Sequence, residues 1–287
     1  MIITSSGELF SWSSSQRKFG VRVGLVPTMG GLHEGHISLV RAAGRDCGAV
    51  VVSIFVNPKQ FGQNEDFNLY PRTLDADKNL VESAGLRDKV RLFVPSVEEM
   101  YPLGFDSVVH VGGVTGMLEG AFRPTHFDGV STVVLKLFNI SGADVAYFGL
   151  KDYQQVCAIR KMVADLNIPI DIVACPIIRG ADGVALSSRN SYLSAAQRIQ
   201  ATVLSQSLLI AENLIVSEGC RDVGKIIGAV RDKILTAVDA KIDYIAIADT
   251  KNLKELKTLD NCPEAVILLA VKIETTRLID NKIINIP

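Results

Sequence analysis

The sequence predicts an α/β fold in which a mostly parallel sheet carries helices on both faces, followed by a smaller C-terminal α+β domain. Three observations carry that expectation. Strand-like and helix-like segments alternate through the first two-thirds of the 287 residues, as they do in βαβ units. The run Ala49 to Val56 is apolar throughout, which is how a strand covered on both faces reads. The last third reverses the order, with two helical patterns first and three strand candidates after them. Together these describe a Rossmann-like layer and an appended unit.

Each element follows from its own pattern. Val21 to Thr28 is apolar and β-branched and breaks at Gly30-Gly31. His36 to Cys47 reads as a helix with Ile37, Leu39, Val40 and Ala43 on one side. After the Ala49 to Val56 strand, which stops at Asn57-Pro58, Leu74 to Ala84 is helical and Leu92 to Val94 a short strand. Ser107 to Val111 is expected as another strand, Thr132 to Ile140 as a helix and Val145 to Phe148 as a strand. Tyr153 to Leu166 is helical, and Ile170 to Ile178 closes this series. In the tail, Ser194-Ala195-Ala196-Gln197 is a capping-box pattern and opens a helix to about Val216. A helix from Val223 to Ala237 and strands at Tyr244 to Ala248, Val266 to Ile273 and onward from Arg277-Leu278 complete it. Gly180, Asp182 and Gly183 cluster at the change of pattern, so the expected domains are residues 1–179 and 180–287.

Composition excludes several classes. Hydrophobic residues make up 48% and charged residues 21%, as in a globular protein with a real core. A net charge of -1 lacks the basic footprint of a general nucleic-acid binder. No basic segment leads a long apolar stretch at the N-terminus, so no signal peptide is expected, and runs such as Ala265 to Val271 are too short to span a bilayer. The five cysteines are scattered without a CxxC pair. They suggest neither a disulfide framework nor a thiolate metal site, but the reduced thiols of a cytoplasmic protein.

The most informative segment is Pro27-Thr28-Met29-Gly30-Gly31-Leu32-His33-Glu34-Gly35-His36, between a predicted strand and a predicted helix. In an open α/β sheet such a turn lies where ligands bind. Its glycines let backbone approach a phosphate, and a helix N-terminus favours negative charge. Two of the chain's four histidines stand here, three residues apart, on one side of a helical turn. They are placed to donate to phosphate oxygens during nucleotidyl transfer. HExxH zinc spacing, the P-loop and GxGxxG are all absent. A metal site of another kind and a purely structural turn stand beside the nucleotide reading.

The strand–Thr-Met-Gly–x–x–His-x-Gly-His–helix pattern resembles the nucleotidyl-transfer superfamily shared with class I aminoacyl-tRNA synthetases. Further blocks narrow it: Asn57-Pro58-Lys59-Gln60-Phe61, Asn64-Glu65-Asp66, Tyr70-Pro71-Arg72-Thr73 and Arg123-Pro124-Thr125-His126-Phe127-Asp128-Gly129. Lys151-Asp152-Tyr153-Gln154-Gln155, Leu186-Ser187-Ser188-Arg189-Asn190 and Thr275-Thr276-Arg277-Leu278 follow. In this order and spacing the chain resembles the pantothenate synthetase family over nearly its whole length.

The resemblance implies ATP-dependent condensation of pantoate with β-alanine through a pantoyl adenylate, releasing pyrophosphate and then AMP. It implies ATP binding by Met29, Gly30, Gly31, Leu32, His33, Glu34, Gly35 and His36, with His36 as proton donor and His33 beside it. Gly149, Leu150, Lys151 and Asp152 form a second ATP block, and Ile178, Leu186, Ser187, Ser188 and Arg189 a third. Of these, Lys151, Ser187, Ser188 and Arg189 are expected in catalysis as a point charge and a triphosphate clamp. Gln60 and Gln155 are expected to hold pantoate, since a side-chain amide offers both donor and acceptor. Asn57, Arg123 and His126 are further substrate candidates. Asp77 and Asp152 are candidate Mg²⁺ ligands. Leu150 stands where the family usually has Glu. The resemblance also implies a homodimer, with the C-terminal domain acting as a lid. A simple adenylyltransferase of the same superfamily and a non-catalytic nucleotide-binding module are the alternatives.

Overall fold

The computed structural model describes residues 1–63 and 65–287; Asn64, in the expected Asn64-Glu65-Asp66 block, lies outside the described residues. The chain divides into two compact units, Met1–Leu150 with Gln154–Pro176, and Lys151–Tyr153 with Ile177–Pro287.

The first unit begins with β1 (Ile2–Ile3), α1 (Ser6–Lys18), β2 (Val23–Thr28), α2 (Glu34–Asp46) and β3 (Ala49–Ile54). It continues with α3 (Leu74–Glu82), β4 (Val90–Phe93), α4 (Val97–Met100), α5 (Glu119–Phe122) and α6 (His126–Ser141). It ends with β5 (Val145–Gly149), α7 (Tyr153–Asp165) and β6 (Asp171–Cys175). The six strands are all parallel, in the order β1-β4-β3-β2-β5-β6. Strand order therefore reverses between β2 and β5, and ligands of open α/β sheets bind outside the carboxyl ends of such a pair.

The sequence forms this sheet because its strands are apolar on both faces. All six residues of β3 are buried. Val26, Val50, Val52, Leu92 and Tyr147 pack against Ile37, Val40 and Ala43 of α2. Leu25, Val51, Phe93 and Ala146, which alternate with them and so point the other way, are equally buried. There α1 and α6 pack against each other and against β2. Each fully buried Val, Leu or Ile side chain contributes about 1.5–3 kcal/mol.

The second unit comprises α8 (Ala195–Glu212), α9 (Val223–Ile234), β7 (Ala240–Ala248), β8 (Glu264–Ile273) and β9 (Thr276–Asn285). Its strands form an antiparallel sheet in the order β7-β8-β9. The expected capping box opens α8: Ser194 Oγ accepts from Gln197 N at 3.3 Å and Ser194 N donates to Gln197 Oε1 at 2.7 Å. The helix passes into a π-helical turn at Asn213–Ser217. Residues Ala195–Ser217 are long and apolar enough to cross a membrane by length and composition alone. Ala201, Leu204, Leu208, Ala211 and Ile215 of this stretch nevertheless pack into the unit's own core.

Four segments depart from expectation. β1 and α1 carry no clear period: α1 reads SGELFSWSSSQRK and buries only Leu9 and Ser13. Ser107 to Val111, expected as a strand, pairs with no strand among the described residues. Val109 N donates instead to Thr132 Oγ1 at 2.9 Å. Helix α6 begins at His126 rather than Thr132, which places the Arg123–Gly129 block against the first unit's polar cluster.

Candidate active site

The turn between β2 and α2 sits at the switch point. Gly149, the last residue of β5, ends the neighbouring strand and leads into a 3-10 turn at Leu150–Asp152. His33 is the N-cap of α2, and its Nδ1 accepts from Gly35 N at 3.1 Å. His36 Nδ1 accepts in turn from His33 N at 3.3 Å, so the two imidazoles make a reciprocal capping box with ring centroids 4.1 Å apart. An imidazole nitrogen that accepts carries no proton, so both rings are assigned the Nε2–H tautomer. Each ring thus keeps its N–H donor on the edge away from its cap.

The turn glycines lie against Asp77. Gly30 has φ +85°, and a Cβ there would stand 3.1 Å from Asp77 Oδ2. The missing side chain makes room for a carboxylate of the protein itself. Gly31 N donates to Asp77 Oδ2 at 3.1 Å and Leu32 N to Asp77 Oδ1 at 2.8 Å. Gly30 N turns back to Thr28 Oγ1 at 3.3 Å, and His36 N to His33 O at 2.8 Å. The backbone N–H groups of residues 30–33, 35 and 36 are thus all engaged, within the turn or by Asp77.

Gln60 is 8% exposed at the end of a 3-10 turn, Pro58–Gln60, capped by Asn57. Asn57 Nδ2 donates to Gln60 Oε1 at 3.0 Å and to Gly129 O at 3.1 Å. Tyr101 donates its hydroxyl to Asn57 Oδ1 at 2.8 Å; burial pushes that phenol above its ordinary range and keeps it a donor. Gly129 lets α6 come this close, because a Cβ there would stand 2.3 Å from Lys59 O. With its oxygen held by Asn57, Gln60 turns Nε2 toward Met29 Sδ, 2.9 Å away. Sulfur is a weak acceptor, so a substrate oxygen would be a better partner for that N–H₂.

Arg123 and His126, expected at substrate, are committed behind Gln60. Arg123 Nε donates to Glu65 Oε1 at 2.7 Å, and its Nη2 pairs with the second oxygen. His126 Nδ1 lies 2.9 Å from Gln60 O, and Nε2 lies 3.2 Å from Arg123 Nη1. A carbonyl only accepts and a guanidinium only donates, so Nδ1 carries the proton and Nε2 accepts. Burial, reinforced by the Arg123 charge, pushes this imidazole down to about 4. Burial alone would raise the Glu65 carboxyl, but its hydrogen bonds and charge pairing with Arg123 hold it below its ordinary range.

Of the two adjacent glutamines, Gln154 is consumed by structure. Its Nε2 donates to Val114 O and Met117 O, both at 2.7 Å, and its Oε1 accepts from Glu119 N at 3.0 Å. Half-buried Gln155, the expected substrate residue, makes no side-chain hydrogen bond among the described residues.

The second unit holds the remaining candidates. Lys151 and Asp152 lie side by side, Nζ to Oδ1 at 3.4 Å, and Asn281 Nδ2 donates to Lys151 O at 2.9 Å. Leu186 N donates to Ile178 O at 2.9 Å, which brings these two expected nucleotide residues together. Ser187 caps a 3-10 turn, Ser188–Tyr192, its Oγ accepting from Arg189 N at 3.3 Å. Just before it, Arg179 makes a two-pronged pair with buried Asp280 at 2.6 and 2.8 Å.

Among the described residues no group of three His, Cys, Asp or Glu could hold a metal ion. Asp77, expected as a ligand, is 2% exposed, and besides the two turn amides its Oδ1 accepts from Thr73 Oγ1 at 3.1 Å. A cavity of about 310 Å³ opens beside it, lined by Met29, Gly30, Phe55, Phe67, Arg72 and Asp77 among others. Sequence reasoning passed over Tyr101 and gave no role to Glu65, Thr73 or Asn281, although the last three lie in or beside the family blocks. Their roles could not be read locally, since each acts through contacts that only the folded chain creates.

The family model for pantoate-β-alanine ligase matches residues 1–283. The chain belongs to the pantoate-β-alanine ligase family. It is 50% identical to the pantothenate synthetase of Heliobacterium modesticaldum over 99% of both chains. To that of Acetivibrio thermocellus it is 48% identical, again over 99% of both. Among solved structures, the pantothenate synthetase of Thermus thermophilus matches with TM-score 0.90 and 41% identity, over 98% of each chain. The pantoate-β-alanine ligase of Francisella tularensis, complexed with β-γ ATP and β-alanine, matches with TM-score 0.80 and 34% identity. That match covers 98% of this chain and 97% of the other.

Proposed function

We propose that this chain joins pantoate to β-alanine at the expense of ATP, as a ligase of its family. A pantoate carboxylate oxygen attacks the α-phosphorus of ATP and pyrophosphate leaves, giving pantoyl adenylate. The amine of β-alanine then attacks the acyl carbon, loses a proton and expels AMP, giving pantothenate. The observation that carries this reading is a family match over residues 1–283 with the paired imidazoles intact at the start of α2.

In this reading His33 and His36 donate from Nε2 to phosphate oxygens as charge develops on the leaving pyrophosphate. Gln60 donates from Nε2 to a pantoate oxygen, and Gln155 supplies a second amide. Lys151 neutralises phosphate as a point charge, while Ser187, Ser188 and Arg189 clamp the triphosphate. Magnesium enters as a complex with that triphosphate, because such ions keep waters and bind through phosphates plus one or two carboxylates. Asp152 is the carboxylate that would meet it.

The second unit is proposed as a lid, since adenylates are lost to water; solution scattering unchanged by nucleotide would contradict it. A homodimer is proposed from the family resemblance and is read by light scattering. A cytoplasmic location is proposed from the reduced-thiol composition.

The reaction itself is tested by following AMP formation from ATP and pantoate with and without β-alanine. Amine-dependent AMP release together with pantothenate supports the ligase. Pyrophosphate release without amide points to a simple adenylyltransferase, and no ATP turnover to a non-catalytic module.

A further inference from the structure

We propose that Asp77 is a positioning residue for adenylyl transfer, acting as a built-in anion that fixes the imidazole turn before nucleotide arrives. The inference rests on the ligase reading above.

Asp77 stands in the first turn of α3, forty-five residues beyond Leu32 in the chain. Its two oxygens take the consecutive N–H groups of Gly31 and Leu32 at 3.1 and 2.8 Å. Consecutive amides converging on one anion form the nest by which phosphate-binding loops hold their ligand. Here a protein carboxylate fills the nest, and Gly30, at positive φ, gives it room. Thr73 Oγ1 donates to Oδ1 at 3.1 Å and holds the carboxylate in place. Asp77 N donates to Thr73 O at 2.8 Å, anchoring it to its own helix.

Two consequences follow for the reaction. Leu32 immediately precedes His33, so pinning its amide pins the N-cap of α2 and, through the capping box, His36. The carboxylate also sets a negative charge on the Gly31-Leu32 side of the turn. That charge repels the triphosphate there and leaves the Nε2 edges of the imidazoles as the favourable approach. Asp77 touches no substrate in this account; it acts through the geometry of the two histidines.

The decisive variant is Asp77→Asn, which keeps the size but can offer only one carbonyl oxygen to the two amides. Pantoate-dependent exchange of pyrophosphate into ATP reads adenylation, and addition of β-alanine to preformed pantoyl adenylate reads aminolysis. A loss of about 1 Å in placement costs on the order of 100-fold, so adenylation kcat is expected to fall roughly 10- to 100-fold while aminolysis is unchanged. In amide ¹⁵N spectra the Gly31 and Leu32 protons, shifted downfield by a carboxylate in the native chain, move upfield in the variant. Thr73→Val removes only the hydroxyl donor and shows a smaller loss, again confined to adenylation. That variant decides the matter if Asp77→Asn does not fold.

Unchanged adenylation in folded Asp77→Asn overturns the inference. So does an equal loss in both half-reactions, which is the mark of a merely structural residue, or an unaffected Thr73→Val. A native chain without pantoate-dependent exchange overturns the ligase reading and this inference with it. An active native chain with an unaffected Asp77→Asn overturns the inference alone.

Discussion

His36 and His126 are imidazoles in the same unit, wired in opposite ways. His36 accepts at Nδ1 from the backbone of His33 and carries its proton on Nε2. His126 carries its proton on Nδ1, gives it to Gln60 O, and accepts at Nε2 from Arg123. One ring uses the backbone to orient a donor. The other uses both nitrogens to hold a neighbour still. The difference comes from position. His36 stands in the first turn of a helix, where an orphan amide needs an acceptor. His126 stands where a carbonyl and a guanidinium meet, and burial keeps it neutral. Residue type alone does not assign a histidine to chemistry; the partner at each nitrogen does.

The comparison can be broken at its functional end first. His36→Ala is expected to slow pantoate-dependent pyrophosphate exchange by about 100- to 10,000-fold, the range for loss of a positioned acid–base group. Circular dichroism should remain native, and exchange near the native rate would refute the assigned role. At the structural end, Arg123→Ala leaves Glu65 and His126 without their shared partner. It is expected to destabilise the fold by roughly 3 kcal/mol, as truncating one side of a largely buried ion pair does. Urea unfolding measures it, and a change below the scatter of the method would show that the network contributes little.

Gln60→Ala lies between the two ends, since Arg123 and His126 hold that residue's backbone while its side chain faces Met29. Loss of one hydrogen bond to an uncharged or charged oxygen amounts to about 1–3 kcal/mol, so the KM for pantoate should rise some 5- to 100-fold. The KM for ATP should change much less, and an unaltered pantoate KM would remove Gln60 from the site.

The smallest expected effect is a pH slope. The folded His126 titrates at about 4, against an ordinary value near 6.5 in the unfolded chain. Between those values only the unfolded chain takes up the proton. The stability from keeping His126 neutral is therefore present above about pH 6.5 and lost as pH falls toward 4. The Glu65 contribution follows at lower pH, present above its ordinary value of 4.5 and lost below it. Unfolding curves between about pH 7.5 and 5 should show the first slope, and His126→Asn should flatten it. An equal slope in that variant would place the titrating group elsewhere.

Much of this molecule was legible in its sequence. The apolar runs of β2, β3 and β5 and the periodicity of α2 announced a parallel sheet with the Met29–His36 turn at a ligand-binding edge. Ser194 and Gln197 announced the start of α8. What stayed hidden was either weakly patterned or long-range. The helix α1 has too few apolar positions to show a period, and Ser107–Val111 is valine-rich like a strand but gives an amide to a threonine. Gln154 and Gln155 are neighbours of identical type, yet only tertiary contacts separate the one that ties down a loop from the one that does not. That Asp77 folds back onto the amides of Gly31 and Leu32 could not be read from the sequence, because the contact is long-range.

The central claim is that the Nε2–H edge of His36, rather than backbone amide, serves adenylyl transfer. It is tested most directly by comparing two substitutions in the exchange assay. His36→Gln places an amide near the Nε2 position and can still cap, as Gln197 does at the same position of α8, while His36→Asn keeps an acceptor near the Nδ1 position and gives up the donor. The account predicts faster pyrophosphate exchange in His36→Gln than in His36→Asn. Faster exchange in His36→Asn would contradict it and assign His36 to capping alone.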